Sequence, residues 1–267
     1  MKVLLVGSSS FIGEKLLKFL VKEKYEIVCM ARCRRPINSK IEFYEWNLGE
    51  SIPERINKSI DIAIHLIHDS TMEESIFIDK VIKSFIDLRD KGIPKQIYIS
   101  SYSAGPHALS KYGKTKYKIE NEIFRFDDIT IVRPGLVIGE GGVYKKISSL
   151  ANLLPFIPLP DGGSGMVPII EIESLCEYMV KIIRLKMPHQ EENIFSNNLI
   201  SLRQLILDSV DNSKKPTIFP ISSKALLSLF RIIDLFPIKI PINKENVLGF
   251  IANQNAKHES TVDRYDS

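Results

Sequence analysis

The chain has 267 residues, a net charge of +4 and 44% hydrophobic residues, with a mean hydropathy near zero. Such a composition excludes a disordered chain and suits one large domain or two small ones. So weak a charge over this length leaves no footprint for nucleic acid, and the longest apolar runs fall well short of the roughly 18 residues of a membrane helix.

The first 140 residues alternate strand and helix signals. Residues 2–6 (KVLLV) form an apolar run ending at Gly7, and a helical pattern follows over 11–22. Strands are expected at 25–31 and 41–46, and at 61–67, where the near-continuous apolar character fits a strand covered on both faces. A long helix should span 72–91, followed by a strand at 96–100, a helix at 110–124 and a strand at 129–133. Six strands separated by helices or crossover loops imply an α/β fold, a doubly wound parallel sheet of Rossmann type.

Beyond Gly139 the character changes. Pro155, Pro158, Pro160 and the run from Asp161 to Gly165 read as loop and turns, with helical patterns at 172–185 and 201–210. The organisation expected is a dinucleotide-binding core at 1–142 and a smaller substrate lobe at 143–252, some of whose elements return to the core. A polar tail at 253–267 is expected to fray. Residues 222–236 are amphipathic with a thin polar face, which suits burial in the small lobe or an oligomer contact better than a membrane surface.

Cys29, Cys33 and Cys176 make no disulfide framework and no CxxC pair, and Cys29-x-x-x-Cys33 has no neighbouring His, so no metal site is expected. Unpaired thiols suit a reducing interior. Lys2 is followed by only four apolar residues before Gly7, too few for a signal-peptide core. The expected location is cytoplasmic.

Three motifs carry chemistry. The turn Gly7-Ser8-Ser9-Ser10-Phe11-Ile12-Gly13, between a strand and a helix, points backbone N–H groups and a helix N-terminus at a pyrophosphate. No Gly-Lys-Ser/Thr follows, so it is not a Walker loop. After strand two, residues 27–38 contain no acid to hold a ribose 2′-hydroxyl but do contain Arg32, Arg34 and Arg35. Guanidinium groups there suit a 2′-phosphate and so NADP over NAD, the alternative being a solvated basic loop. Tyr112-x-x-x-Lys116 puts a phenol and an ammonium on one helix face, where the cation should lower the tyrosine pKa for acid/base work. That spacing is common on helices. Its place on the helix just after Ser100-Ser101 is what gives it weight.

Taken together these motifs resemble an extended, or closely related atypical, short-chain dehydrogenase/reductase of the nucleotide-sugar epimerase/dehydratase family. GSSSFIG is similar to that family's glycine turn, with Ser10 at the middle glycine. Asp61 to Leu66 resembles its D-x-x-x-H-L strand, Ser100-Ser101 its serine pair, Tyr112 to Glu120 its tyrosine helix, and Arg133 to Gly139 its R-P-G-x-V-x-G segment. Val167 to Leu175 resembles a further family segment, so that the likeness spans roughly residues 1 to 210.

The resemblance implies catalytic roles for Ser101, Tyr112 and Lys116: Tyr112 moving a proton, Lys116 holding the nicotinamide ribose, and Ser101 bonding the reacting oxygen. It also implies cofactor contacts from the turn (Gly7, Ser9, Ser10, Phe11, Ile12, Gly13) and from Arg32 and Arg34. Further contacts are implied from Asn47 and Leu48, from Leu66 and Ile67 at the end of strand four, and from Lys116 and Pro134. A nucleoside-diphosphate sugar is the implied substrate, with Asp161-Gly162-Gly163 resembling the loop over the nucleotide, and a homodimer through the helices flanking the sheet is the implied assembly.

Departures from the family pattern narrow the reaction. Asn47 stands in place of a common aspartate, and the linker between Ser101 and Tyr112 is short. Ile67 and His68 replace two small residues; His68 reads as a satisfied structural histidine, with reach into the active site as the alternative. Tyr102-Ser103 follows Ser101 where dehydratases of the family carry an acidic pair, which disfavours dehydration. Reduction of a 4-ketosugar with NADP is the main expectation. A 4-epimerase with retained NAD, and a non-catalytic dinucleotide-binding sensor or assembly protein, are the alternatives.

Overall fold

The apolar runs of the first half become neighbouring strands. The computed structural model describes residues 1–33, 41–185, 190–210, 215–233, 242–253 and 258–265. Strands β1 (Lys2–Val6), β2 (Glu26–Ala31), β3 (Glu42–Glu45), β4 (Ile62–His65), β5 (Gln96–Ile99) and β6 (Ile129–Pro134) lie in one sheet. Four short strands outside that sheet, β7 (Leu136–Ile138), β8 (Phe156–Pro160), β9 (Met166–Val167) and β10 (Ile169–Glu171), come next in the chain. The central sheet then gains a seventh member, β11 (Gln190–Ile194), in the order β11-β6-β5-β4-β1-β2-β3. Every pairing in it is parallel. This is the doubly wound α/β fold expected from the strand–helix alternation.

Helices α1 (Phe11–Lys22), α2 (Glu74–Asp90), α3 (Lys111–Ile123), α4 (Gly142–Leu153) and α5 (Ile172–Leu185) supply the covering layers and the start of the lobe. One sheet face packs Leu16, Leu17 and Leu20 of α1 with Leu175, Cys176 and Met179 of α5. The other packs Phe77, Val81 and Phe85 of α2 with Ile119 and Ile123 of α3. Ion pairs Lys15–Glu173 and Arg184–Glu23 tie α1 and the β2 approach to α5 across the chain.

A separate apolar cluster of Ile147, Ile157, Leu159, Leu202, Leu205 and Ile218 joins α4 and β8 to α6 (Leu202–Asp208). Here the strands make only two-membered sheets. β7 pairs with β10, β9 with β12 (Ile200–Ser201), and β8 with β13 (Thr217–Ile221). Prolines 158, 160 and 220 sit within β8 and β13, and such residues are tolerated where a strand has a free edge. In α7 (Ser223–Ile233), Leu226 and Phe230 pack against Val247 of α8 (Lys244–Asn253).

Part of the polar tail does not fray. Val262 and Tyr265 are buried in the core beneath α5, Thr261 N–H donates to Asn193 O at 2.8 Å, and Lys181 Nζ donates to Tyr265 O at 2.7 Å. Two apolar side chains in an otherwise polar stretch are enough to dock it. No helix among the described residues is long and apolar enough to cross a membrane.

Candidate active site

In a doubly wound sheet the crevice lies beyond the strand C-termini, where the chain reverses its direction of strand addition. Here that point falls between β1 and β4. Gly7, with φ of +88°, ends β1 there; a Cβ on it would stand 3.1 Å from the Leu66 carbonyl. Gly13 is packed equally closely, a Cβ meeting the Gly7 and Ser8 carbonyls at 2.8 Å. The turn is therefore backbone against backbone, as a pyrophosphate cradle requires.

Ser10, at the position of the middle glycine, is the N-cap of α1: its hydroxyl accepts from Gly13 N–H at 3.1 Å. Its side chain is turned onto the helix. Phe11 lies against Gly139, Gly141 and Gly142, any Cβ on Gly141 falling 2.4 Å from the ring, so the turn is braced by the segment after β7. Ser9 and Ile12 are half-buried in the same turn.

At the adjacent end of β5, two serines have opposite surroundings. Ser100 is buried with its hydroxyl unpaired, whereas Ser101 hydrogen-bonds the Tyr112 phenol and, at 2.9 Å, the Ser103 hydroxyl. Ser110 caps α3 by accepting from Gly113 N–H at 3.0 Å. A Cβ at Gly113 would stand 2.3 Å from Ser103 O, so this glycine lets the helix start close beside the serine loop and sets Tyr112 against Ser101. Lys116, one turn on, is buried, donates to Ile99 O at 2.9 Å, and lies 4.4 Å above the Tyr98 ring and 6.0 Å from the Tyr112 ring centroid.

Burial overrides the expected phenol–ammonium coupling. It pushes the Tyr112 phenol up to about 12, with the Ser101 hydrogen bond lowering it and the Glu120 charge raising it, and pushes the Lys116 amine down to about 7. Glu120 is fixed by a two-pronged pair with Arg133, at 3.0 and 2.7 Å, and Arg133 also holds Glu191 at 2.8 Å. The arginine beside Pro134 thus fastens α3 to β6 and the β11 edge; Pro134 itself is buried, its carbonyl accepting from Tyr102 N–H. Tyr102 packs on Phe195 and meets His258 Nδ1 at 3.3 Å.

The region after β2, where a ribose contact is expected, is less open than its sequence suggests. Arg32 is exposed and pairs with Asp69 at 3.0 Å. Asp69 is further tied to the Thr71 hydroxyl at 2.6 Å, and these Thr71 bonds, more than Arg32, hold its carboxyl below the usual range. Arg34 lies outside the described residues. Asn47 turns its amide to Glu50 at 2.9 Å, and Leu48 and Ile67 pack together in the cores on the α2 face of the sheet.

The two histidines near β4 have contrasting settings. His65 is fully buried, stacked on Phe85 at 3.6 Å and bonded through Nε2 to Gln96 Oε1 at 2.7 Å. Asp61, which opens the same motif, accepts from Lys2 N–H at 2.7 Å. Both are scaffold. His68, whose sequence position reads as a satisfied structural histidine, has no hydrogen bond to its ring nitrogens among the described residues. It keeps an exposed edge and stands edge-on to the Tyr112 ring at 4.9 Å. The contact with Tyr112 agrees with the alternative reading, reach toward the site, while the pairing of Asp69 went unread in the sequence; the available signal was a polar residue directly after a buried strand.

No protein-family model and no curated protein matches the chain. Solved structures do. UDP-glucose 4-epimerase from Thermotoga maritima, with UDP-glucose, aligns at a TM-score of 0.63 and 16% identity over 94% of this chain and 97% of that one. A nucleoside-diphosphate-sugar epimerase from Staphylococcus aureus aligns at 0.73 and 12% identity, covering 100% and 96%. The chain has the fold of the nucleotide-sugar epimerases. A third structure with that fold, MoeE5 in complex with UDP-glucose and NAD, aligns at 0.60 and 14% identity over 95% and 97%.

Proposed function

We propose that the protein is a nicotinamide-dinucleotide-dependent oxidoreductase acting on a nucleoside-diphosphate sugar, with Ser101, Tyr112 and Lys116 at the reacting centre. The observation that carries this reading is the juxtaposition of a backbone-packed Gly7–Gly13 turn with a Ser101–Tyr112 hydrogen bond, one strand apart across β4. Residues 7–13 would hold the pyrophosphate and Lys116 the nicotinamide-side ribose. The bound dinucleotide supplies hydride transfer, and the protein supplies alignment and the proton.

In this reading the sugar oxygen sits where Ser101 and Tyr112 can both donate to it. Ser101 stabilises the charge that develops there, and Tyr112 Oη gives up its proton as a carbonyl becomes a hydroxyl. A phenol pushed up to about 12 is protonated at neutral pH, the form required for reduction. This favours reduction of a 4-ketosugar, and the Arg32–Arg34 segment agrees through its affinity for a 2′-phosphate.

A second reading, 4-epimerisation with retained NAD, has its own support: Asp69 already occupies Arg32, so a 2′-phosphate would have to displace a carboxylate. The structurally similar epimerases point the same way.

The test is product analysis. Purified protein is incubated with a UDP-4-ketosugar plus NADPH or NADH, and separately with UDP-glucose alone, and the products are resolved by NMR. Stoichiometric oxidation of NADPH supports the reductase. Formation of the C4 epimer without net oxidation supports the epimerase. Neither product would contradict both readings.

A further inference from the structure

The cofactor reading makes a demand on β4. In the sheet β4 lies between β1 and β5. A dinucleotide with its pyrophosphate on the Gly7–Gly13 turn and its nicotinamide at Ser101 and Tyr112 must therefore cross the C-terminal end of β4, which is Leu66, Ile67 and His68. The Leu66 carbonyl is closed against Gly7 and Ile67 packs against the core. His68 presents an exposed ring edge on that path.

We propose that His68 is a further cofactor-contacting residue, its imidazole hydrogen-bonding a hydroxyl of the nicotinamide-side ribose. The inference rests on the dinucleotide reading above. The ring is held in place edge-on to Tyr112 at 4.9 Å and to Phe77 of α2 at 6.1 Å, with interplanar angles of 84° and 86°. Its orientation is thus set by aromatic packing, while its nitrogens make no protein hydrogen bond among the described residues. His65, three residues earlier, shows the opposite case of a histidine the fold itself consumes.

The charge state suits the role. Burial, and then the positive charge of Lys116 on α3 and of Lys146 on α4, hold the His68 imidazole down to about 4 against the opposing pull of Asp69. At neutral pH it is therefore an uncharged ring with one N–H donor and one acceptor nitrogen, matching a hydroxyl that also donates and accepts. An uncharged ring also adds no repulsion beside a nicotinamide that is cationic when oxidised.

The experiment compares two probes on the full chain. Affinities for NADH (or NADPH, whichever binds wild type more tightly) and for ADP, which lacks the nicotinamide-side ribose, are measured for wild type, His68→Ala and His68→Phe. Loss of one hydrogen bond should weaken the reduced dinucleotide about five- to tenfold in both variants and leave ADP unchanged. The phenylalanine variant keeps the packing on Tyr112 and Phe77. If it binds the reduced dinucleotide as wild type does, or if ADP weakens equally, the proposal is overturned while the dinucleotide reading stands. If wild type binds neither probe, the dinucleotide reading falls and takes the proposal with it.

Discussion

The parallel sheet and the lobe around α4, α6 and β8 bury apolar residues by different means, and the contrast shows where chemistry can be read from a sequence. Strands of the sheet are covered on both faces, so β1, β2, β4 and β5 are buried almost end to end and their C-termini are fixed in register. The lobe joins two-stranded pairs and short helices, and leaves Leu153 71% and Phe156 61% exposed. Rigid strand ends hold a Ser101–Tyr112–Lys116 cluster to hydrogen-bond tolerance; short pairs with open edges suit a surface that varies with the substrate.

The largest effect that would sharpen this contrast is on turnover. Tyr112→Phe should lower kcat by about 10²–10⁴, the range for loss of a positioned acid, and leave dinucleotide affinity nearly unchanged in the same preparation. Unchanged kcat would remove Tyr112 from the reacting centre.

Next comes the clamp beneath it. Glu120 is 1% exposed against Arg133. Glu120→Ala should cost about 2–3 kcal/mol in urea unfolding, under the roughly 3–5 of a pair with no other partner, because Glu191 still holds the guanidinium. A cost below about 0.5 kcal/mol would show that the α3–β6 tie is not part of the rigid half.

Lys116 gives a smaller, pH-dependent effect. Its folded pKa of about 7 lies below that of the unfolded amine, near 10.4, so the unfolded chain binds more protons between those values. Stability of the unliganded protein should therefore rise from pH 7 to pH 9, with this group contributing about 1–2 kcal/mol. The contribution of the Tyr112 phenol, pushed up to about 12, is lost only above the unfolded value of about 10. That of the Cys176 thiol, also pushed up to about 12, begins to be lost above the unfolded value of about 8.5 and trims the top of the rise equally in wild type and in a Lys116 variant. Lys116→Met should flatten the rise; an equal rise in the variant would assign it elsewhere. At the small end, Phe156→Ser in the lobe should change stability by less than about 0.5 kcal/mol, as for surface positions generally.

What was legible follows the same division. The sheet announced itself through apolar runs bounded by glycine and polar residues, and the site through one turn and one i, i+4 spacing, both local features. β11 was not legible, since QEENI carries no apolar run; its central Glu192 is buried through Arg264 of the docked tail, 72 residues away. β8 was hidden by its prolines, which only an edge strand with one partner can carry. At the site, pairing of Arg32 with Asp69 joins residues 37 apart, from the end of β2 to the segment after β4, and the His68–Tyr112 contact joins two elements. Neither has a spacing rule. The phenol's raised pKa likewise comes from burial, which tertiary packing decides.

The central claim is that the glycine turn and the tyrosine helix form one dinucleotide site. Trp46, the chain's one tryptophan, is buried directly after β3 beside Asn47, which on this claim is the adenosine side. Exciting Trp46 while titrating NADH or NADPH should give saturable energy transfer to the reduced nicotinamide. The transfer should be lost in Gly13→Val, whose side chain would enter the turn, and kept in Tyr112→Phe. Absence of transfer with either dinucleotide in the wild-type protein, or transfer undiminished in Gly13→Val, would contradict the claim.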